Sequence, residues 1–535
     1  MKEKVTNKKF FDFFLYVMFA VFLIITISQK GSLMMDEVYS YGLANHKYAD
    51  TVKMKPVEGK TYSPAGEAYL EYVTVSEDGR FDYSNVWKNQ TEDTHPPLYY
   101  VLLHTICSCF PNTFNIWYAG SINIVFALLT LWGIRKLVGE LTKDRKFKTV
   151  VSICYIVTPG VLNISAYFRM YIMAMFWVTL ITYLFVRAIK HGGDKKTYVQ
   201  VCIVSVLGAL THYYFLVYLL FLCVVMGVYL LYSRLWKETI IFCMDMLVAG
   251  GITVGIFPAI LTHLFGMKSH SKSTINNLLF DSVYEYVMRI FSFYSSMNKY
   301  LFGNALMLII ILALFCIGIL FIRYYKANGM KWKQIRCFMK KNKIEYFSWL
   351  LLIVPCFFYF VLVSRIATYV ASRYMHPIYA VVFVLGISIL WNIIERIVKS
   401  DYQKPLFYVL MLMMVIQGWS VSTWGFLYLD GKESLKIAEQ YSDKECIYIY
   451  TKDKGMMLHA SFYEIASFEQ VTFVTKENMD LLENLSAKEQ EELVVYITSD
   501  CDSELILQEI KDRYPLLEEY EKITEYGNAE AYYFY

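Results

Sequence analysis

About eleven stretches of this sequence run for roughly 15 to 25 residues almost without charge, which as helices suits them to a hydrocarbon core of about 30 Å. In lipid every backbone N–H and C=O must find its partner inside the protein, so stretches of this length can settle only as helices. They lie at 10–28, 114–134, 149–166, 170–189, 198–212, 214–232, 239–263, 299–322, 346–364, 376–395 and 405–425. Only 18% of the residues are charged and 56% are hydrophobic, against about 25% charged in soluble domains. An ordinary soluble protein is excluded.

The loops between these stretches give the direction of each crossing. RKLVGELTKDRKFK (135–148), RAIKHGGDKK (187–196), SRLWKE (233–238), the long basic stretch 323–345 and WNIIERIVKSDYQK (391–404) are all rich in Lys and Arg. A cytoplasmic N-terminus, KEKVTNKK, puts all five in the cytoplasm, as the positive-inside rule requires. The first apolar run is too long for a signal peptide and has no small-residue cleavage site after it, so it reads as an uncleaved first helix. HPPLYYVLLHTICSCF (95–110) is apolar too, but counting it as a span would reverse every later loop. It therefore reads as a helix in the outer interface, at the end of an outer loop covering 30–113. The net charge of +4 is spread over the short loops, which argues against a nucleic-acid partner.

From about residue 430 the composition turns polar. Strand-like CIYIY (446–450), VTFVT (471–475), LVVYITS (493–499) and AYYFY (531–535) alternate with helix-like ESLKIAEQY, SAKEQEE and SELILQEIKDRY. The pattern predicts a small extracytoplasmic α/β domain over 430–535, behind a membrane domain over 1–429. The eleven cysteines show no metal-ligand spacing, and most lie in apolar runs as small hydrophobes. Cys446 and Cys501 fall in the polar C-terminal segment, where a disulfide between them is open.

Ionisable residues gather at the outer helix ends: Asp36, Glu37, Asp93, His95, Arg169, His212, Lys268, His270, Lys272, Arg365 and Arg373. Single Arg or Lys residues there are explained by snorkelling, and THYYF (211–215) by an aromatic belt. A set of this size points to a shared polar cavity.

An acidic pair after the first helix, in MMDEVYSYG, precedes a long loop that ends in THPPLYYVLLH; FRMYIMAMF (168–176) and SRYMHPIYA (372–380) follow in order. Over roughly residues 10 to 400 this order resembles the GT-C fold membrane glycosyltransferases, specifically the dolichyl-phosphate-mannose–protein mannosyltransferase-like superfamily and the bacterial relatives that modify lipid A. The resemblance implies an α-helical polytopic GT-C membrane domain and inverting transfer of a mannose-like hexose from a polyprenyl-phosphate carrier. The acceptor would be a glycan, lipid or protein at the outer face of the cell membrane. Asp36, the first acid of the pair, is the implied catalytic base, with Glu37 beside it.

The chemistry suits these residue types. An attacking hydroxyl must lose a proton to a carboxylate, and the departing phosphate gathers negative charge that fixed guanidinium groups stabilise. Arg373 and Arg169 are the foremost phosphate-binding candidates, followed by Arg365, His95, Lys268 and Lys272. In the lipid A-modifying relatives a Lys stands where this chain has His95. Asp93, His212 and Tyr374 are candidates for the substrate pocket. No cofactor is required; a divalent metal between Asp36, Asp93 and His95 is conceivable without support from spacing. A glycolipid flippase and a polysaccharide polymerase or ligase are the alternative readings.

Overall fold

The computed structural model describes residues 2–47, 53–266, 276–277, 282–328, 341–484 and 491–535. Among these, nine helices are long and apolar enough to cross a membrane, and a bent pair makes a tenth. The first of the nine is the apolar part, Phe10–Ser28, of α1 (Lys2–Ser28). The bent pair, Arg145–Ile156 and Pro159–Ser165, turns through 52°. Its break sits where Pro159, which has no N–H to give, opens the second helix.

The eleven expected crossings need three corrections. The stretch 198–212 forms the 15-residue helix Lys195–Ala209, about 22 Å long and short of a full crossing. The stretch 239–263 is divided at Phe257, before Pro258. The span expected at 299–322 begins at Leu306, after a separate helix Val283–Phe302 that occupies the expected loop 264–298. That helix is amphipathic: Phe293, Met297 and Leu301 are buried four residues apart while the other face is open. Ser282 and Glu285 begin it with a reciprocal capping box. A search for continuous apolar runs misses such a helix. It leans across one end of the bundle, with Tyr286 bonded to the Val361 carbonyl and Tyr300 to Thr423.

The basic loops meet at the opposite end. There Lys404 pairs with Asp144 at 3.7 Å, His191 with Glu140 at 2.8 Å, and Lys343 donates to Ser233 at 3.1 Å. The first loop covers the other end with the helices Met35–Asn45 (α2), Glu67–Val73, Tyr83–Glu92 and Leu98–Ser108. The last of these has 11 residues and lies within the expected interfacial segment. α2 is pressed against the first loop's own Tyr72 at Gly42, where an added Cβ would stand 2.0 Å from the ring.

The C-terminal segment folds around a six-stranded sheet of order β1-β3-β2-β4-β6-β5. The strands are β1 (Thr61–Tyr62), β2 (Glu445–Tyr450), β3 (Gln470–Thr475), β4 (Leu493–Thr498), β5 (Tyr520–Tyr526) and β6 (Ala529–Phe534). β3 and β4 flank β2 in parallel; the remaining pairs are antiparallel. β2 and β4 are buried throughout and read as unbroken apolar runs. β5 is an exposed edge strand rich in Glu and Lys, as edges often are, and the sequence reading missed it. β1 comes from the first loop, pairing Thr61 with Thr472 and Tyr62 with Val471, so the sheet draws on both sides of residue 430. Most of SAKEQEE falls outside the described residues. Cys446 and Cys501 are free thiols, the latter bonded to Thr451 and Thr498, so there is no disulfide between them.

After β2 a run of 3-10 turns, Lys452–Ser461, packs against α2. Its His459 is fully buried between Tyr39 and Tyr72, stacked at 5.9 and 5.0 Å, and neither ring nitrogen has a hydrogen-bond partner. Burial lowers its pKa to about 3. The folded state thus refuses a proton that the unfolded chain takes up near pH 6.5, so stability falls as pH drops from about 6.5 towards 3. Thermal unfolding of the purified protein should show a loss of about 2 kcal/mol between pH 7 and pH 5 from this residue. His459→Phe should remove that part of the pH dependence.

Candidate active site

The two adjacent acids open α2 and turn in different directions. Glu37 points inward, fully buried. Its Oε1 accepts from Lys30 Nζ at 2.9 Å and from the Phe168 N–H at 2.8 Å; its Oε2 accepts from the Met34 N–H at 2.9 Å. Lys30 Nζ spends its other two protons on the carbonyls of Ala166 and Phe426, both at 2.8 Å. The ammonium also sits 4.8 Å from the ring centres of Phe168 and Tyr428. Burial pushes the Glu37 carboxyl up and the Lys30 ammonium down, and their contact offsets part of each shift. All of these bonds are internal, and they tie the start of α2 to Lys30, Met34 and Phe168.

Asp36, next in sequence, faces the opening. Its Oδ2 lies 2.9 Å from Arg373 Nη1 and accepts from the Tyr167 hydroxyl at 3.0 Å, while Arg373 also reaches that hydroxyl at 3.3 Å. Arg373 sits in the turn Ser372–Ile378 that leads into the helix Tyr379–Ile397, with its guanidinium 5.5 Å from the Tyr374 ring. Arg169, only 3% exposed, donates to the Asp36 carbonyl at 3.1 Å and to Ser40 Oγ at 2.9 Å. Among the described residues it has no ion pair within 4 Å, and its Nε has no partner. Burial disfavours the charged Asp36, but Arg169, Arg373 and the Tyr167 hydroxyl outweigh it and hold the carboxyl below its usual range.

A second acid stands on the far side of Arg169. Asp93 Oδ2 is 2.7 Å from His95 Nδ1, and Tyr39 donates to its Oδ1 at 3.5 Å. His95 Nε2 lies 3.4 Å from Arg169 Nη2. Burial again opposes the charge on Asp93, and His95 and Arg169 reverse the effect, so this carboxyl too is held low. His212 is buried beside this group, 6.3 Å from the His95 ring and 5.2 Å from Tyr171, and its Nδ1 caps the next helix by accepting from the Tyr214 N–H. Burial, with His95 and Arg169 nearby, keeps its pKa well below the usual imidazole value.

The structure thus brings together Asp36, Asp93, His95, Arg169, His212, Arg373 and Tyr374. Arg365 is not among them: it stacks on Tyr286 at 5.1 Å beside an apolar groove of about 410 Å³ between Phe221, Val283 and Phe358. Lys268, His270 and Lys272 lie outside the described residues. Among the described residues no three His, Cys, Asp or Glu side chains are grouped to hold a metal ion. Asp36 turns to Arg373, while Asp93 and His95 pair with each other. The sequence reading missed Tyr167, Ser40 and Lys30. Ser40, one helical turn after Asp36, was the most accessible of them.

No family model matches the sequence and no curated protein matches it. Among solved structures the chain is similar to ArnT from Cupriavidus metallidurans bound to undecaprenyl phosphate. That match covers 97% of both chains at 10% identity, with a TM-score of 0.49. The apo state of ArnT matches over 93% of this chain and 95% of its own at 11% identity, with a TM-score of 0.42. The archaeal oligosaccharyltransferase AglB from Archaeoglobus fulgidus, in complex with an inhibitory peptide and a dolichol-phosphate, matches at 10% identity and a TM-score of 0.42. It covers 92% of this chain and 70% of that one.

The two acids should separate experimentally. Glu37→Gln leaves the Lys30 ammonium buried without its counter-charge and is expected to cost about 3 to 5 kcal/mol of stability. Replacing both, Lys30→Met with Glu37→Leu, should recover much of that loss, whereas Asp36→Asn should melt within a few degrees of the wild type. Equal losses in the Glu37 and Asp36 variants, by thermal unfolding in detergent, would contradict the anchoring role.

Proposed function

We propose that the chain is a GT-C type membrane glycosyltransferase moving a mannose-like hexose from a polyprenyl-phosphate carrier to an acceptor hydroxyl on a glycan, lipid or protein. The observation that carries this reading is an ionised carboxylate, Asp36, set between two guanidinium groups, one of them buried with no ion pair of its own. Arg169 is balanced at a distance by Asp36 and Asp93 but makes no direct ion pair, so its unpartnered Nε is free to bond an arriving anion. A phosphate group, with the reactive sugar carbon beside it, fits both needs.

In this mechanism the carrier phosphate binds Arg373 through paired hydrogen bonds and competes with Asp36 for it. Donor binding therefore releases Asp36 Oδ2 as the sugar carbon comes into range. The acceptor oxygen attacks from the face opposite the phosphate, which inverts the anomeric carbon. Its proton passes to Asp36, and the electron pair of the breaking C–O bond leaves on the phosphate. The Arg373 and Arg169 charges stabilise that developing anion where little water reaches. Tyr167, bonded to both Asp36 and Arg373, holds the two in register.

The basic loops lie at the opposite end of the bundle, which supports a site facing away from the cytoplasm. A flippase would carry its ionisable groups near the bilayer midplane, whereas these cluster where the helices end.

Asp36→Asn, reconstituted in nanodiscs with undecaprenyl-phosphate-linked hexoses, is expected to lose at least 10²-fold in transfer rate. Turnover close to wild type would overturn the mechanism. Arg373→Ala should weaken binding of undecaprenyl phosphate by roughly 10- to 100-fold, the value of a charged hydrogen bond, measured by scanning fluorimetry or native mass spectrometry. An unchanged affinity would remove Arg373 from the phosphate site.

A further inference from the structure

Asp36 is well placed to take a proton and badly placed to keep one. With Arg373 at 2.9 Å, Arg169 on its carbonyl and the Tyr167 hydroxyl on its Oδ2, the neutral form is disfavoured. A neighbouring base speeds the return of Asp36 to its charged form before the next turnover.

His95 has the geometry of that group. Arginine has only donors, so Arg169 Nη2 at 3.4 Å requires a lone pair on His95 Nε2. The proton of the neutral ring then sits on Nδ1 and is donated to Asp93 Oδ2 at 2.7 Å. Asp93 thereby fixes the tautomer and stands ready to stabilise the imidazolium, as the acid of a carboxylate–histidine pair does in other catalytic sites. The His95 side chain is 24% exposed and Asp93 10%, so the imidazole is the more open of the two. The charged or titratable groups around it are Asp93, Arg169, Asp36 and the buried His212.

We infer that the Asp93–His95 pair is the proton outlet of the site, a catalytic role for His95 in place of the phosphate contact expected from sequence. The inference rests on the glycosyl-transfer reading. As the acceptor oxygen bonds to the sugar carbon and the carrier phosphate leaves with the bonding electrons, the hydroxyl proton reaches Asp36. As Arg169 turns to the leaving phosphate it frees the Nε2 lone pair of His95, which takes the proton from Asp36 and, as the imidazolium, returns it to water. Asp93 is a positioning residue that acts through His95.

The test uses the full chain in nanodiscs, with undecaprenyl-phosphate-mannose and undecaprenyl-phosphate-glucose as donors and release of free sugar counted as transfer to water. His95→Gln is expected to slow turnover at least 10²-fold. Its affinity for undecaprenyl phosphate should stay within twofold of wild type. Asp93→Asn should slow turnover with the same unchanged affinity, and nitrogen NMR of histidine-labelled protein should show the Nδ1–H tautomer at His95 in the wild type only. His95→Lys separates outlet from cation: rescue by lysine would make His95 a phosphate contact and overturn the inference. Wild-type turnover in His95→Gln alongside an inactive Asp36→Asn would overturn the outlet and leave glycosyl transfer standing. A wild-type protein inert with both donors would overturn the two together.

Discussion

The buried contact between Lys30 and Glu37 is the joint on which the site is hung. Lys30 closes the first crossing, Glu37 opens α2, and their partners come from residues 166–168 and from Phe426. One ammonium and one carboxylate thus tie together segments as many as 396 residues apart. Burying two charges is expensive, and here both are almost fully bonded, the condition under which such a pair is tolerated. A hydrophobic replacement fills the same space without defining the register of α2. A charged pair with directional bonds fixes it.

That register decides what Asp36 can do. Neighbouring residues on a helix point about 100° apart, so anchoring Glu37 inward turns Asp36 to the opening and Ser40, one turn on, toward Arg169. Two chemically similar acids then meet opposite surroundings. One is enclosed by its own chain; the other is offered to whatever anion or hydroxyl enters beside Arg373. The same division recurs with Asp93, enclosed, and His95, at the surface of the site.

The spans were legible because lipid imposes a length on apolar sequence, and the loop charges gave their order. What escaped was the part not governed by lipid: the amphipathic Val283–Phe302, the short Lys195–Ala209 and the edge strand β5. For the site, Asp36, Arg169 and Arg373 stood out as charges at helix ends in a recognisable order. Tyr167 did not, since a tyrosine near a membrane boundary is commonplace and its bond to Asp36 spans 131 residues. Lys30 was hidden for a similar reason, a lysine closing a span being the ordinary snorkelling residue. His459 lies in another domain by composition, and nothing local announces its place between Tyr39 and Tyr72.

The two-residue strand β1 has a bearing on how the protein is made. Residues 61 and 62 are synthesised early, but their partners in the sheet are residues 471 and 472, and Lys30 waits for the Phe426 carbonyl. On a growing chain the acid pair would emerge with neither its sheet nor the last acceptor for its lysine. The first loop can reach its working form only after the C-terminal segment has left the ribosome and folded against it. A nascent chain that has not yet made its C-terminal segment therefore carries the site residues without the contacts that join the first loop to residues 426 and 471–472.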